Sequence, residues 1–191
     1  MSIFATPAQR MFVMKHFPIA LAAVFALTGP ASADLPVGAP APAFTTQATL
    51  AGKPFTFSLQ SALSRGPVVL YFYPAAFTSG CTAEAHDFAE ATDAFAALGA
   101  TVIGVSADDI ETLNRFSVEA CRSKFAVASD ADRKIMTAYD AVMAMNPDMA
   151  DRTSYVISPE GKVIYAFTAM AYDDHVKNTM DAVKAWRSAN P

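Results

Sequence analysis

The chain has 191 residues, 14 Lys plus Arg against 18 Asp plus Glu, and an apolar fraction of 53%. That composition suits one or at most two ordinary domains and excludes a disordered chain. A net charge of −4 without a long basic run argues against a nucleic-acid partner, and two cysteines cannot build a disulfide scaffold.

At the N-terminus, Arg10, Lys15 and His16 precede an apolar run from Phe17 to Gly29, after which Pro30 leads into Ala31-Ser32-Ala33 and Asp34. Basic region, apolar region and small-residue cleavage site follow in the order of a secretory leader. The run holds 13 residues, whereas a membrane-spanning helix needs roughly 20. Residues 1–33 are therefore expected to be a cleaved signal peptide rather than a stable anchor, whether translation starts at Met1, Met11 or Met14. Residues 34–191 then form one acidic exported domain, placed by this reading in a bacterial periplasm.

Phe44 to Leu59 carries two short alternating runs around Gly52-Lys53-Pro54, predicting a β-hairpin. Val68 to Tyr73 is an unbroken apolar run, the pattern of a buried strand, and Pro74 stops it. From Ala83 to Leu98 apolar residues recur at Phe88, Ala91, Phe95 and Leu98, the spacing of an amphipathic helix. A second strand is predicted over Thr101 to Val105, and Asp108-x-x-Glu111 reads as a capping box opening a helix to about Phe125. Another helix is expected over Asp130 to Met143. Ser154 to Ile157 and Val163 to Phe167 then form a hairpin about Pro159-Glu160-Gly161. Asp173 or Asp174 caps a last helix with Val176, Met180, Val183 and Trp186 on one face. Strand, helix, strand, helix, hairpin and closing helix describe a mixed sheet flanked by helices, in the order of a thioredoxin-like α/β fold.

Fold alone does not assign function. Cys81 lies in or beside the first turn of the helix that follows the Val68–Tyr73 strand, where free N–H groups and the helix dipole favour a thiolate, the reactive form of cysteine. It precedes Phe88 and Phe95 by seven and fourteen residues, which puts it on the core-facing side at the mouth of a crevice. Position alone leaves reactivity and inert burial equally open. Pro74, lacking an N–H, can wall off the sulfur, and the Thr78 hydroxyl can both donate and accept a hydrogen bond. Such a group suits a substrate with two linked oxygens.

The segment YFYPAAFTSGCTAEAHDF, Tyr71 to Phe88, resembles the catalytic loop of peroxiredoxins, P-x-x-x-T-x-x-C, with Pro74, Thr78 and Cys81 in its places. Its continuation, Cys81-Thr82-Ala83-Glu84-Ala85, is most similar to the bacterioferritin comigratory protein group, also called PrxQ. The resemblance runs from about Val37 to Trp186. It implies a thiol peroxidase in which Cys81 is the peroxidatic nucleophile that attacks a peroxide and becomes a sulfenic acid. Thr78 and Pro74 are carried over to substrate binding and shielding. Arg152, just before the Ser154 strand, matches the family's catalytic arginine, whose fixed charge stabilises the thiolate and the departing oxyanion. Glu84, one turn after Cys81, is expected to orient that arginine, with a solvated carboxylate as the alternative.

Many members of the group place a second cysteine five residues after the first. His86 stands there, which excludes a short intrahelical bridge. Cys121 occupies a location like that of the subgroup whose resolving cysteine lies on the second helix. Helical geometry puts it on the shoulder of that helix's apolar stripe, about 100° from the centre. An inert thiol and a one-cysteine cycle remain the alternative. Closing the Cys81–Cys121 loop would stabilise the oxidised chain by roughly 4 kcal/mol in the entropic account, less any strain, and would require unwinding the Cys81 turn.

The resemblance implies hydrogen peroxide or organic hydroperoxides as substrates, a thioredoxin-like or other thiol electron donor, and a monomer or weak dimer. No cofactor or metal is expected: His86 and His175 stand alone on helices without metal-ligand spacing, and no dinucleotide or phosphate loop is present. Two other classes are weighed against the peroxidase. A thiol–disulfide oxidoreductase lacks its second sulfur, because Cys81-Thr82-Ala83-Glu84 is not C-x-x-C. A catalytically silent binding domain would keep both thiols reduced in excess peroxide.

Overall fold

The computed structural model describes residues 1–3 and 34–191; the expected signal peptide lies outside the described residues, apart from its first three. The elements run β1 (Thr45–Leu50), β2 (Lys53–Ser58), α1 (Leu59–Leu63), β3 (Val68–Phe72), α2 (Ser79–Ala97), β4 (Thr101–Ser106), α3 (Ile110–Glu119), β5 (Ala126–Ser129), α4 (Lys134–Ala138), β6 (Thr153–Ile157), β7 (Val163–Thr168) and α5 (His175–Ala189). The seven strands form one sheet in the order β2-β1-β5-β4-β3-β6-β7. β3 pairs in parallel with β4 and β4 with β5, whereas β6 lies antiparallel to β3 and to β7. The unit β3-α2-β4 followed by β6-β7-α5 is the thioredoxin-like arrangement expected.

Strand alternation divides the interior into two cores, one on each face of the sheet. Val68, Leu70 and Phe72 of β3 point into the core with α1 and α4, whereas Val69 and Tyr71, with Tyr73 just beyond the strand, point into the core with α2, α3 and α5. On that second face Tyr71 stacks on Phe88 of α2 with ring centroids 4.3 Å apart. Gly104 of β4 makes room for this stack: a Cβ there would stand 2.7 to 2.8 Å from two ring carbons and the hydroxyl oxygen of Tyr71. Gly104→Ala is therefore expected to cost about 1–3 kcal/mol by overpacking, read as a lower urea midpoint with unchanged slope.

Several elements differ from the sequence expectation. The first hairpin turns at Ala51 and Gly52, both at positive φ, as a two-residue hairpin loop requires, so Lys53 and Pro54 already belong to β2. Asp109, not Asp108, caps α3, its carboxylate accepting from the Thr112 N–H at 2.7 Å. That helix stops at Glu119 instead of near Phe125, because Arg122 and Ser123 adopt positive φ and turn the chain into β5. The helix expected over Asp130 to Met143 is only the short α4. Buried Asp130 caps it by accepting from the Ile135 and Met136 N–H groups at 2.9 and 2.7 Å, and Asp140 at positive φ ends the run. Asp174 precedes α5 without a side-chain capping bond.

Candidate active site

The site lies at the carboxyl ends of the parallel strands β3 and β4, the end at which open α/β sheets usually bind their ligands. Tyr73 makes the last backbone bond between them, its N–H to the Val105 carbonyl at 3.1 Å, and half-buried Pro74 then turns the chain away. The loop is tied down by Asp108, whose carboxylate accepts from the Ala76 N–H at 2.8 Å and the Ser106 hydroxyl at 2.7 Å. Phe77, at φ 64, lays its ring edge-on to Phe116 of α3, centroids 5.2 Å apart. Anchored at both places, the loop delivers Thr78 as the residue preceding α2.

Cys81 is the third residue of α2, and its side chain is 2% exposed. The N–H groups of that first turn have no partner within the helix, so they leave partial positive charge at the end that carries Cys81. Exposed Thr78 donates its hydroxyl to the Ala75 carbonyl at 3.1 Å and leaves α2 without a side-chain cap.

Arg152 enters from the opposite side of the sequence. Its backbone is held by Asp151, which accepts its N–H at 2.8 Å, and by the Ala169 N–H, which donates to its carbonyl at 3.1 Å. Its guanidinium is buried and its three nitrogens diverge: Nε donates to the Met170 carbonyl at 3.0 Å, Nη1 pairs with Glu84 Oε2, and Nη2 points at Cys81 Sγ from 3.5 Å. Gly80 permits this approach, since a Cβ there would stand 3.3 Å from Nη2. A lysine, with one nitrogen, cannot serve three partners in this planar geometry.

The alternative of a solvated Glu84 is overturned. Its side chain is fully buried beneath Arg152, and burial, offset in part by the arginine, pushes the carboxyl up to about 8. Its second oxygen, Oε1, is buried without a hydrogen-bond partner.

His175 does not stand alone. It is buried, with Nδ1 2.8 Å from the Ser154 hydroxyl, Nε2 2.9 Å from the Ala169 carbonyl, and Nδ1 3.8 Å from Glu84 Oε1. Burial pushes its imidazole below the usual histidine range. The one signal in the sequence was a histidine at the start of a helix whose inner face otherwise carries Thr179, Met180 and Val183.

Cys121 departs most from expectation. It is not on the shoulder of α3 but just past its end, with its N–H bonded to the Phe116 carbonyl at 3.0 Å, and it is completely buried in the same core as Cys81. Burial pushes its thiol up. Tyr71 and Tyr73 lie within electrostatic reach of both sulfurs, and both cysteines are free thiols. The turn carrying Cys121 is tied to α2 by Arg122–Glu90 and Lys124–Asp93 ion pairs at 2.9 and 3.1 Å. Among the described residues no group of three or more His, Cys, Asp or Glu could hold a metal ion.

Comparison with known proteins bears on this geometry. The model of the AhpC/TSA family matches residues 37–166. The chain belongs to that family. Peroxiredoxin Bcp of Xanthomonas campestris is 30% identical over 156 residues, 73% of this chain and 97% of that protein. Peroxiredoxin Bcp of Bacillus subtilis is 33% identical over 123 residues, 61% of this chain and 77% of that protein. Among solved structures, the crystal structure of peroxidoxin BcpB from Mycobacterium tuberculosis superposes with a TM-score of 0.70 at 28% identity, covering 78% of this chain and 96% of that one. This chain is accordingly a peroxiredoxin of the Bcp/PrxQ group, and its thioredoxin-like fold is that of its structural neighbours.

Proposed function

We propose that the protein, a thiol peroxidase, reduces hydroperoxides at Cys81. The observation that carries this reading is the Cys81 sulfur set at the N-terminus of α2 with the Arg152 guanidinium 3.5 Å away. The thiolate attacks one peroxide oxygen, an S–O bond forms as the O–O bond breaks, and the departing hydroxide or alkoxide takes a proton. Sulfur is oxidised to the sulfenic acid and the peroxide is reduced. Arg152 and the first-turn N–H groups stabilise negative charge on the sulfur and then on the leaving oxygen. Thr78, whose hydroxyl donates and accepts, holds the substrate, and Pro74 shields the sulfur.

Resolution by Cys121 completes the cycle: its thiol attacks the Cys81 sulfenic acid, water leaves and an intramolecular disulfide forms. Burial keeps Cys121 protonated in the closed fold, so this step needs local opening. The turn after α3 supplies a place for it, since Arg122 and Ser123 are held at positive φ, a conformation costing non-glycine residues on the order of 1–3 kcal/mol each. A thiol donor, thioredoxin-like or small, then reduces the disulfide. The protein works as an exported monomer or weak dimer, in keeping with the leader pattern in residues 1–33.

Intact-mass measurement after one equivalent of peroxide tests this reading. The wild type should lose two hydrogens, Cys121→Ser should gain one oxygen, and Cys81→Ser should stay unchanged. A wild-type gain of one oxygen would replace the disulfide by a single-thiol cycle, and peroxide consumption by Cys81→Ser would remove the assignment.

A further inference from the structure

The Glu84 carboxyl and Arg152 guanidinium do not end the buried polar chain. Glu84 uses Oε2 for Arg152, and its other oxygen faces the Nδ1 edge of His175 across 3.8 Å with no hydrogen bond of its own. An uncompensated buried carboxyl oxygen is costly, so the group facing it decides where the carboxyl settles. We propose that His175 is a positioning residue for peroxide reduction: its Nδ1 edge, fixed by Ser154, sets the orientation of Glu84 and through it the aim of Arg152 at Cys81. This inference rests on the peroxidase reading and adds a residue to it.

The ring is locked on every side. A carbonyl only accepts, so Nε2 carries hydrogen toward Ala169, and in the neutral ring Nδ1 is the acceptor for the Ser154 hydroxyl. Phe167 of β7 packs edge-on, centroids 4.8 Å apart. The groups facing the imidazole are Glu84 from α2, Arg152 and Ser154 at β6, the Ala169 carbonyl after β7, and Asp174 beside it in the chain. In this setting the carboxyl and imidazole hold one proton between them: neutral acid beside neutral ring, or carboxylate beside imidazolium. Burial opposes the second arrangement, as it raises the acid and lowers the base. Arg152 then keeps its charge for the sulfur.

Two substitutions separate positioning from mere support. Asn places a polar atom where Nδ1 stands but abandons the Ala169 carbonyl; Gln reaches Ala169 but withdraws from Glu84. The full chain is mixed with hydrogen peroxide from pH 6 to 9.5, and the rate of Cys81 oxidation is read by acid quench and mass analysis. We expect H175Q to slow oxidation about tenfold and to displace the pH–rate inflection of the wild type, and H175N to recover the rate to within threefold. Equal rates and profiles in H175Q and wild type, equal loss in both variants, or loss in H175N alone would each overturn the proposal. Should the His175 variants fail to fold, Ser154→Ala, which frees Nδ1, must displace the same inflection; an unmoved profile overturns the proposal. A wild type that leaves Cys81 unoxidised instead defeats the peroxidase reading itself, a separate outcome.

Discussion

Replacing Arg152 by Met is expected to slow oxidation of Cys81 by hydrogen peroxide about 10²- to 10³-fold, the usual consequence of losing one preorganised charge-stabilising donor. The same substitution should destabilise the fold by about 1–3 kcal/mol, because it takes the hydrogen-bond partner from the buried Glu84 carboxyl. The two losses are separable. Adding Glu84→Met to Arg152→Met removes the unpaired buried carboxyl and should restore much of the denaturation midpoint, while the rate stays low because nothing positive faces the sulfur. Arg152→Lys keeps a charge but not the fork, and should fall between wild type and Met in rate. Stopped-flow or quenched oxidation kinetics alongside urea denaturation check all four proteins. A double variant that regained both stability and rate would show that Arg152 acts on the fold and not on the reaction.

What the chain discloses before folding depends on how local each signal is. The buried strand Val68 to Phe72, the α2 pattern and the Cys81 position follow from periodicity and a stop at Pro74, all within about one element. Arg152 and Glu84, 68 positions apart in sequence, became partners only through the family resemblance. The burial of Cys121 was illegible because the helical wheel assumed that α3 continues. Its end is made by Arg122 and Ser123 in left-handed backbone, with no Gly or Asn to mark the place. Asp108 and Asp109 are chemically the same at the start of a helix, and the fold assigns the first to the Ala76 loop and the second to the cap. For His175 the sequence offers only its place at the start of α5, since the groups that engage it come from α2, β6 and the segment after β7. Buried polar chains of this kind are built by tertiary contact and leave no spacing behind.

Glu84 also dictates a pH dependence of stability, opposite in sense to that of an ordinary paired carboxylate. Its folded value, about 8, lies above the ordinary 4.5, so between these limits the folded chain holds a proton that the unfolded chain has released. Stability must then fall as pH rises through this window, being complete below 4.5 and lost through 8. His175 works the other way: its depressed value makes neutral imidazole the folded form, a contribution present above its ordinary 6.5 and lost on acidification. From about pH 6.5 to 8 the carboxyl therefore acts without opposition from the imidazole. The wild type should lose on the order of 1–2 kcal/mol across that interval, and Glu84→Gln, a permanent mimic of the protonated acid, should lose far less. Denaturant midpoints of the two proteins at matched pH values measure the difference. Parallel curves would mean that Glu84 is already ionised at neutral pH and that Arg152 divides its charge between carboxylate and sulfur, whereas diverging curves mean that the guanidinium reserves its charge for Cys81 until the medium turns alkaline.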